Sequence, residues 1–294
     1  PTNSRIMIFG ASGCGKELVA RMIHKRSSRS GGPFVSLNAA AITPDRMEMA
    51  LFGTEGTPGQ PRRIGALEEA HRGILYLDEI GEMPRETQNK ILRVLVDQQF
   101  ERVGGSKRVK VDVRIISSSA YNLESMIAEG RFREDLFHRL AVVPIKVPAL
   151  AERREDIPFL VDMFMRQISE QAGIRQRKIG EDAMAVLQAN DWPGNIRQLR
   201  NNIERLMILA RGDAPETAIT AEMLPQDLSD MLPKVSASND THIMTLPLRE
   251  AREMFERDYL IAQINRFGGN ISRTAEFVGM ERSALHRKLK SLGV

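Results

Sequence analysis

Residues Gly10 to Glu17 read GASGCGKE and stand directly between the apolar run IMIF and the helical pattern ELVARMIHK. Glycines let a backbone curl until its N–H groups converge, and the N-terminus of a following helix adds positive potential to that concave loop. Lys16, at its end, can reach the terminal phosphates of a bound polyphosphate. The spacing of Gly10, Gly15 and Lys16 is that of a P-loop, with Ala11, Ser12, Gly13 and Cys14 lining the cradle. Glu17 occupies the place where the usual pattern has Ser or Thr, and the competing reading is an ordinary glycine-rich turn.

The run ILYLDEIGEMP supplies acid chemistry for the same ligand. Ile74 to Leu77 read as a buried strand, and acidic side chains at the carboxyl end of a parallel strand face the ligand crevice. There Asp78 is expected to hold Mg2+ through water, and Glu79 to orient and deprotonate an attacking water. A solvated turn or a helix cap explains such a pair equally well when it is taken alone. Downstream, GRFREDLFHRL sets Arg133 and Arg139 six residues apart around a short helical piece. In an oligomeric ATPase such arginines reach a neighbour's γ-phosphate, where a finger raises the rate by about 10³ to 10⁵. Surface pairing with Glu134 and Asp135 is the alternative. WPGNIRQLRNNIERL opens a helix after Pro193 and Gly194, with Arg197 in its first turn beside a candidate core residue, Trp192.

A third set lies at the C-terminal end. ISRTAEFVG gives a short helix, GME a tight turn and RSALHRKLKSLG a second helix, which is the pattern of a helix-turn-helix. On the last helix Ala284, Leu285 and Leu289 face inward, leaving Arg282, Ser283, His286, Arg287 and Lys290 for base edges and phosphates of double-stranded DNA. Residues 247–294 carry nine Lys or Arg against six Asp or Glu, so most of the net charge of +4 sits here. That excess is modest, and a plain helical hairpin remains open. Before the pair, Leu248, Ala251, Phe255 and Ala262 adjoin Met254, Ile261 and Ile264 in two apolar stripes, wider than one small packing partner requires.

These residues need a scaffold. Between Arg5 and Val147 the runs IMIF, FVSL, ILYL, VRII and VVPIKV alternate with helical periodicity, the signature of an α/β fold with a parallel sheet. From Glu152 to Leu224 only amphipathic helices remain, with breaks near Gly173, Asp191 to Gly194 and Gly212. Pro225, Pro233, SASND and Pro247 mark a linker. The expected organisation is an α/β nucleotide-binding subdomain over 1–150, an all-α subdomain over 151–226, a linker over 227–246 and a helix-turn-helix domain over 247–294. With 294 residues, 42% hydrophobic, the chain can build such cores. A single cysteine, Cys14, excludes an internal disulfide and a cysteine zinc cluster. No apolar run approaches the roughly 18 residues of a membrane span and no charged-then-apolar leader is present, so no membrane partner and a cytoplasmic location are expected. The abrupt start at Pro1 suggests a piece of a longer chain.

Together these segments resemble the AAA+ bacterial enhancer-binding proteins of the NtrC type, response regulators that remodel RNA polymerase carrying sigma-N. GASGCGKE is similar to their GESGTGKE Walker A, glutamate included, and ILYLDEIGEMP to their Walker B; FERVGG, FREDLFHRL, RREDIP and WPGNIRQL have counterparts there. The resemblance runs from about Arg5 to Leu224 and resumes in a Fis-type domain at the C-terminus. It implies an AAA+ sheet with helices on both faces, ATP or ADP with Mg2+ in the loop, Arg133 and Arg139 as arginine fingers, and Arg197 as a second-sensor residue touching the nucleotide. It further implies that the long helix before the helix-turn-helix pairs two chains. Such a homodimer, open to higher oligomers, would read a palindromic promoter or enhancer with half-sites about 34 Å apart. By analogy an upstream receiver domain would place the chain in a two-component system.

Two departures set this chain apart. After LFG the family carries a GAFTGA loop that contacts sigma-N; here TEGTPGQPRRI, Thr54 to Ile64, is shorter and lacks it, and its prolines and glycines predict a stiffened turn region. After VRII the usual Thr-Asn pair is replaced by Ser119 and Ala120, and an alanine side chain cannot hydrogen-bond a phosphate; Ser119 is a partial substitute. Cys14 replaces a threonine, as a small residue in a tight loop or as a thiol activated by Lys16 and the helix N-terminus. Two functions compete: a DNA-binding regulator whose ATP site governs assembly without remodelling sigma-N polymerase, and a ring ATPase that activates sigma-N transcription through the altered loop. Whether ATP is hydrolysed, even weakly, stays open. A metabolic P-loop kinase lacks an acceptor site and leaves the C-terminal domain unexplained.

Overall fold

The computed structural model describes residues 3–56, 61–173, 177–209, 218–225 and 248–292. The expected linker 227–246, the break near Gly212 and residues 57–60 of the shortened loop lie outside the described residues. The chain divides into two compact units, Pro1–Pro148 and Ala149–Val294.

The first unit runs β1 (Ile6–Phe9), α1 (Lys16–Lys25), β2 (Phe34–Asn38), α2 (Pro44–Phe52), α3 (Ala66–Glu69), β3 (Ile74–Asp78), α4 (Arg85–Asp97), β4 (Gln99–Glu101), β5 (Arg108–Lys110), β6 (Arg114–Ser119), α5 (Leu123–Ala128), α6 (Glu134–Leu140) and β7 (Val143–Lys146). Five strands form one sheet in the order β2-β3-β6-β1-β7, every neighbouring pair parallel. Alternate residues divide between its faces. Ile6, Ile8, Ile74, Tyr76 and Ile116 pack with Ala20 of α1 on one side. Met7, Leu75, Leu77 and Ile115 pack with apolar residues of α2 to α6 on the other. Burial on both faces is why β1 and β3, inside the sheet, read as unbroken apolar runs, while the edge strands β2 and β7 are only partly covered.

Register then aligns the carboxyl ends: Asn38 lies opposite Asp78, Leu77 opposite Ser117, and Phe9 opposite Ser119. The loop after β1, the acid pair after β3 and the turn after β6 therefore emerge side by side, where open parallel sheets hold their ligands. β4 and β5 pair antiparallel in a short ribbon that the apolar pattern did not announce. The neighbouring Arg102, 6% exposed, grips Glu68 and Glu55, while Thr54 bridges to Arg63 and Val103. The base of the 54–64 stretch is thus tied to the ribbon.

In the second unit α7 (Ile157–Ala172), α8 (Glu181–Ala189) and α9 (Asn195–Leu209) enclose a core that includes Phe164, Leu187, Leu199 and Ile203. Trp192 is fully buried there and its indole N–H donates to the Leu187 carbonyl at 2.7 Å. Then follow α10 (Leu248–Arg266), α11 (Ile271–Phe277) and α12 (Arg282–Leu292). Gly268 and Gly269 take φ of +58° and +79° where α10 stops, and the Asn270 side chain caps α11 by accepting from the Arg273 N–H. Leu260, Ala275, Leu285 and Leu289 form the small core. The fold is the expected parallel α/β sheet with helices on both faces, followed by an all-α part and a helix-turn-helix. On α10 Leu260, which the two stripes omit, is buried, and Phe255, which they include, stacks on Tyr259 in the open. The side chains of Leu248 and Ala251 lie outside the described residues. No helix among the described residues is long and apolar enough to cross a membrane.

Candidate functional site

The loop from Gly10 to Gly15 leaves β1 and closes on α1, whose first residue is Lys16. Gly13 and Gly15 sit at φ of +75° and +103°, a region that glycine enters freely, and this curls the backbone toward the helix N-terminus. A Cβ on Gly10 would lie 2.6 Å from the Val147 carbonyl oxygen, so packing demands glycine there as well. Ala11 and Ser12 are exposed at the crown of the loop. Cys14 is buried in the apolar cluster with Ile8 and Ala20, the setting of a small packing residue and not of an accessible thiol. Lys16 is only 6% exposed; its Nζ donates to the Gly10 carbonyl at 2.9 Å and pairs with Glu79 Oε1 at 2.9 Å. The Glu17 carboxylate is held by Arg21 on the exposed side of α1, so only its backbone belongs to the loop-helix junction.

Asp78 ends β3 with each oxygen differently engaged. Its Oδ1 accepts from the Tyr76 hydroxyl at 2.8 Å and from the Ser118 hydroxyl, while Oδ2 has one long contact, from the Asn38 amide at 3.3 Å. Burial, with the Asp78 charge alongside, pushes the Tyr76 phenol well above the ordinary tyrosine range, so it stays a donor. Glu79 turns at φ of +52°, which directs its carboxylate back between two partners, the Lys16 ammonium and the Ala120 backbone N–H at 2.8 Å. Ala120 thus contributes through its main chain. Ser119, the expected substitute for the missing side chain, is committed to a local turn with Tyr121. One carboxylate oxygen with little protein coordination suits Mg2+, which keeps its waters and takes few carboxylates besides phosphate oxygens.

On α12 the residues Arg282, Ser283, His286, Arg287 and Lys290 are all exposed on one side, and Leu285 and Leu289 are buried on the other. Gly279, at φ of +70°, makes the turn that separates α11 from α12.

Comparison with known proteins accounts for this combination. The family described as Sigma-54 interaction domain matches residues 1–146, the AAA+ ATPase lid domain residues 151–241, and the Fis family of bacterial regulatory proteins residues 251–292. The nitrogen assimilation regulatory protein NtrX of Azorhizobium caulinodans is 68% identical over the whole chain. The chain belongs to the NtrC family of AAA+ regulators and is NtrX-like. The DNA-binding transcriptional regulator NtrC of Escherichia coli K12 is 41% identical over 98% of the chain. Crystal structures of NtrX from Brucella abortus in complex with ADP and with ATP share 76% identity and a TM-score of 0.90 over the whole chain. The chain spans 65% of the length of the A. caulinodans and E. coli proteins and 65–66% of the two Brucella chains.

Within that family frame the remaining expected residues stand as follows. Arg133 precedes α6 and forms a bidentate pair with Asp135, at 2.9 and 2.6 Å, the surface pairing that the sequence left open. Arg139 is exposed in the last turn of α6. Arg197 is exposed in the first turn of α9, in the second unit. Sequence reasoning missed Asn38, Tyr76 and Ser118, which converge on Asp78 from three neighbouring strands. Sheet register brings Asn38 and Ser118 to Asp78 from other strands, which no linear spacing encodes, while Tyr76 reaches it along β3 from two residues before.

Proposed function

We propose that the chain is the ATP-binding and DNA-binding part of a cytoplasmic transcription regulator of a two-component system, and that it is not a conventional sigma-N (sigma-54) activator. The meeting of Lys16 with Glu79 at 2.9 Å, beside Asp78, carries the nucleotide half of this reading. A polyphosphate entering the cradle of Gly10 to Glu17 competes with a carboxylate and a carbonyl for the Lys16 ammonium, which frees Glu79 to take a proton from water. When bound, Mg2+ would neutralise phosphate charge, held through water by Asp78. The ATP and ADP complexes of Brucella NtrX support the ligand assignment. Arg133 and Arg139 serve as fingers toward a neighbouring chain, which requires Arg133 to leave Asp135, and Arg197 as the second sensor. Residues 1–150 form the nucleotide subdomain, 151–226 the lid, 227–246 the linker and 247–294 the DNA-binding domain.

Arg282, Ser283, His286, Arg287 and Lys290 bind a palindromic site as a homodimer, supported by their common exposed side on α12 and by the Fis-family match. The reading against sigma-N remodelling rests on Thr54 to Ile64, where GAFTGA is missing. A ring ATPase acting on RNA polymerase is favoured instead by the retained Asp78–Glu79 pair and both arginines. In vitro transcription with sigma-N holoenzyme, with and without ATP, separates the two. The proposal expects DNA binding without open-complex formation; ATP-dependent open complexes would overturn it in favour of the ring ATPase.

A further inference from the structure

We propose that Tyr76 and Ser118 are positioning residues for the metal-nucleotide site, two hydroxyls that occupy one oxygen of Asp78 and so turn the other toward the crevice. The proposal rests on the reading of the glycine loop as a nucleotide site. Tyr76 lies two residues before Asp78, so the pleat of β3 puts both on one face. Its ring is fully buried and stacked on Phe34 at 6.0 Å, which leaves the hydroxyl a single direction, toward Asp78 Oδ1 at 2.8 Å and Ser118 Oγ at 3.0 Å.

Three consecutive serines end β6, and their alternation sends them to different tasks. Ser117 reaches Met7 and Ser119 bonds Tyr121, whereas Ser118 alone of the three points to the acid pair. Its O–H donates to Asp78 Oδ1 and its oxygen accepts the Glu79 backbone N–H at 3.3 Å. That N–H belongs to a residue in the left-handed region, a conformation that a non-glycine residue keeps only when its surroundings fix it. One hydroxyl therefore sets both the side chain of Asp78 and the backbone of Glu79. Phenylalanine and alanine would fill the same apolar surroundings, so the two hydroxyls are explained by what they hold.

The test is calorimetric ADP binding to the chain with Mg2+ and with EDTA, for wild type, Tyr76→Phe, Ser118→Ala and the hydroxyl-retaining Ser118→Thr, each checked by thermal melting. Tyr76→Phe and Ser118→Ala should each lose roughly tenfold of the magnesium-dependent gain in affinity, the worth of a hydrogen bond to a charged group, and keep the affinity measured in EDTA. Ser118→Thr should retain the gain. Full magnesium gain in both hydroxyl-lacking variants overturns the proposal, and equal losses in both buffers overturn it too, by assigning the hydroxyls to folding alone. A well-folded wild type that takes up no ADP in either buffer overturns the nucleotide reading itself.

Discussion

Replacing Arg102 by methionine keeps the aliphatic stem and removes a guanidinium that is 5% exposed. That group gives Glu68 two bonds of 2.8 Å and Glu55 one of 2.9 Å. Without it the Glu68 carboxylate, 14% exposed, keeps one bond of 3.0 Å, from the half-exposed Arg62. Removing one partner of a buried ion pair costs about 3 to 5 kcal/mol, and the hydration left to Glu55 and Arg62 places this site near about 3 kcal/mol. In urea, with a slope of about 2 kcal/mol per molar, the unfolding midpoint of the first unit should fall by about 1.5 M. Far-UV circular dichroism follows that loss. The fluorescence of Trp192, the sole tryptophan, which lies in the second unit, is recorded alongside.

Glu68→Gln completes a double-mutant cycle with an expected coupling of about 2 kcal/mol. The Arg102 hydrogen bonds hold the Glu68 carboxyl below its ordinary value of 4.5. A depressed folded value means that the stabilisation is complete above the unfolded value and fades as pH falls through the folded one. The wild-type advantage should therefore be full at neutral pH and shrink only under acid. A midpoint within about 0.3 M of wild type together with no coupling would refute the reasoning about this buried charge.

Two further expectations concern function. Glu79→Gln should bind ATP as well as wild type and lose about 10² or more in phosphate release, and wild-type turnover in that variant would remove Glu79 as the base. Arg287→Ala and Lys290→Ala should each weaken DNA binding and flatten the log-log salt dependence by about 0.9 if each neutralises one phosphate; unchanged slopes would misplace the recognition helix.

What the sequence discloses follows from how locally each feature is determined. The strands β1 and β3 are legible because burial on both faces demands uninterrupted apolar runs, and the glycine loop because its conformation demands particular residues at fixed offsets. The turn between the last two helices is legible for the same reason, at Gly279. The β4–β5 ribbon is not, because strands of three residues show no period. Leu260 escapes the stripe reading of α10 because α11 and α12 decide which face of that helix is covered. Within the site, Lys16, Asp78 and Glu79 announce themselves by motif. Asn38, Ser118 and the Ala120 N–H do not, since their contacts reach across from segments about forty residues away in sequence, and Tyr76, though only two residues before Asp78, reads as one more apolar residue of a buried strand. The side chain missing at Ala120 looks like a lost function in the sequence, and the structure shows the main chain at that position holding Glu79.

Titration of ATP into wild type and Lys16→Ala decides the matter most directly. Charge-assisted bonds from the Lys16 ammonium to phosphate make the expected loss roughly tenfold or more in affinity, with the fold of the variant intact by circular dichroism. Equal uptake by both proteins, or none by the wild type, would contradict the assignment of this loop to a nucleotide.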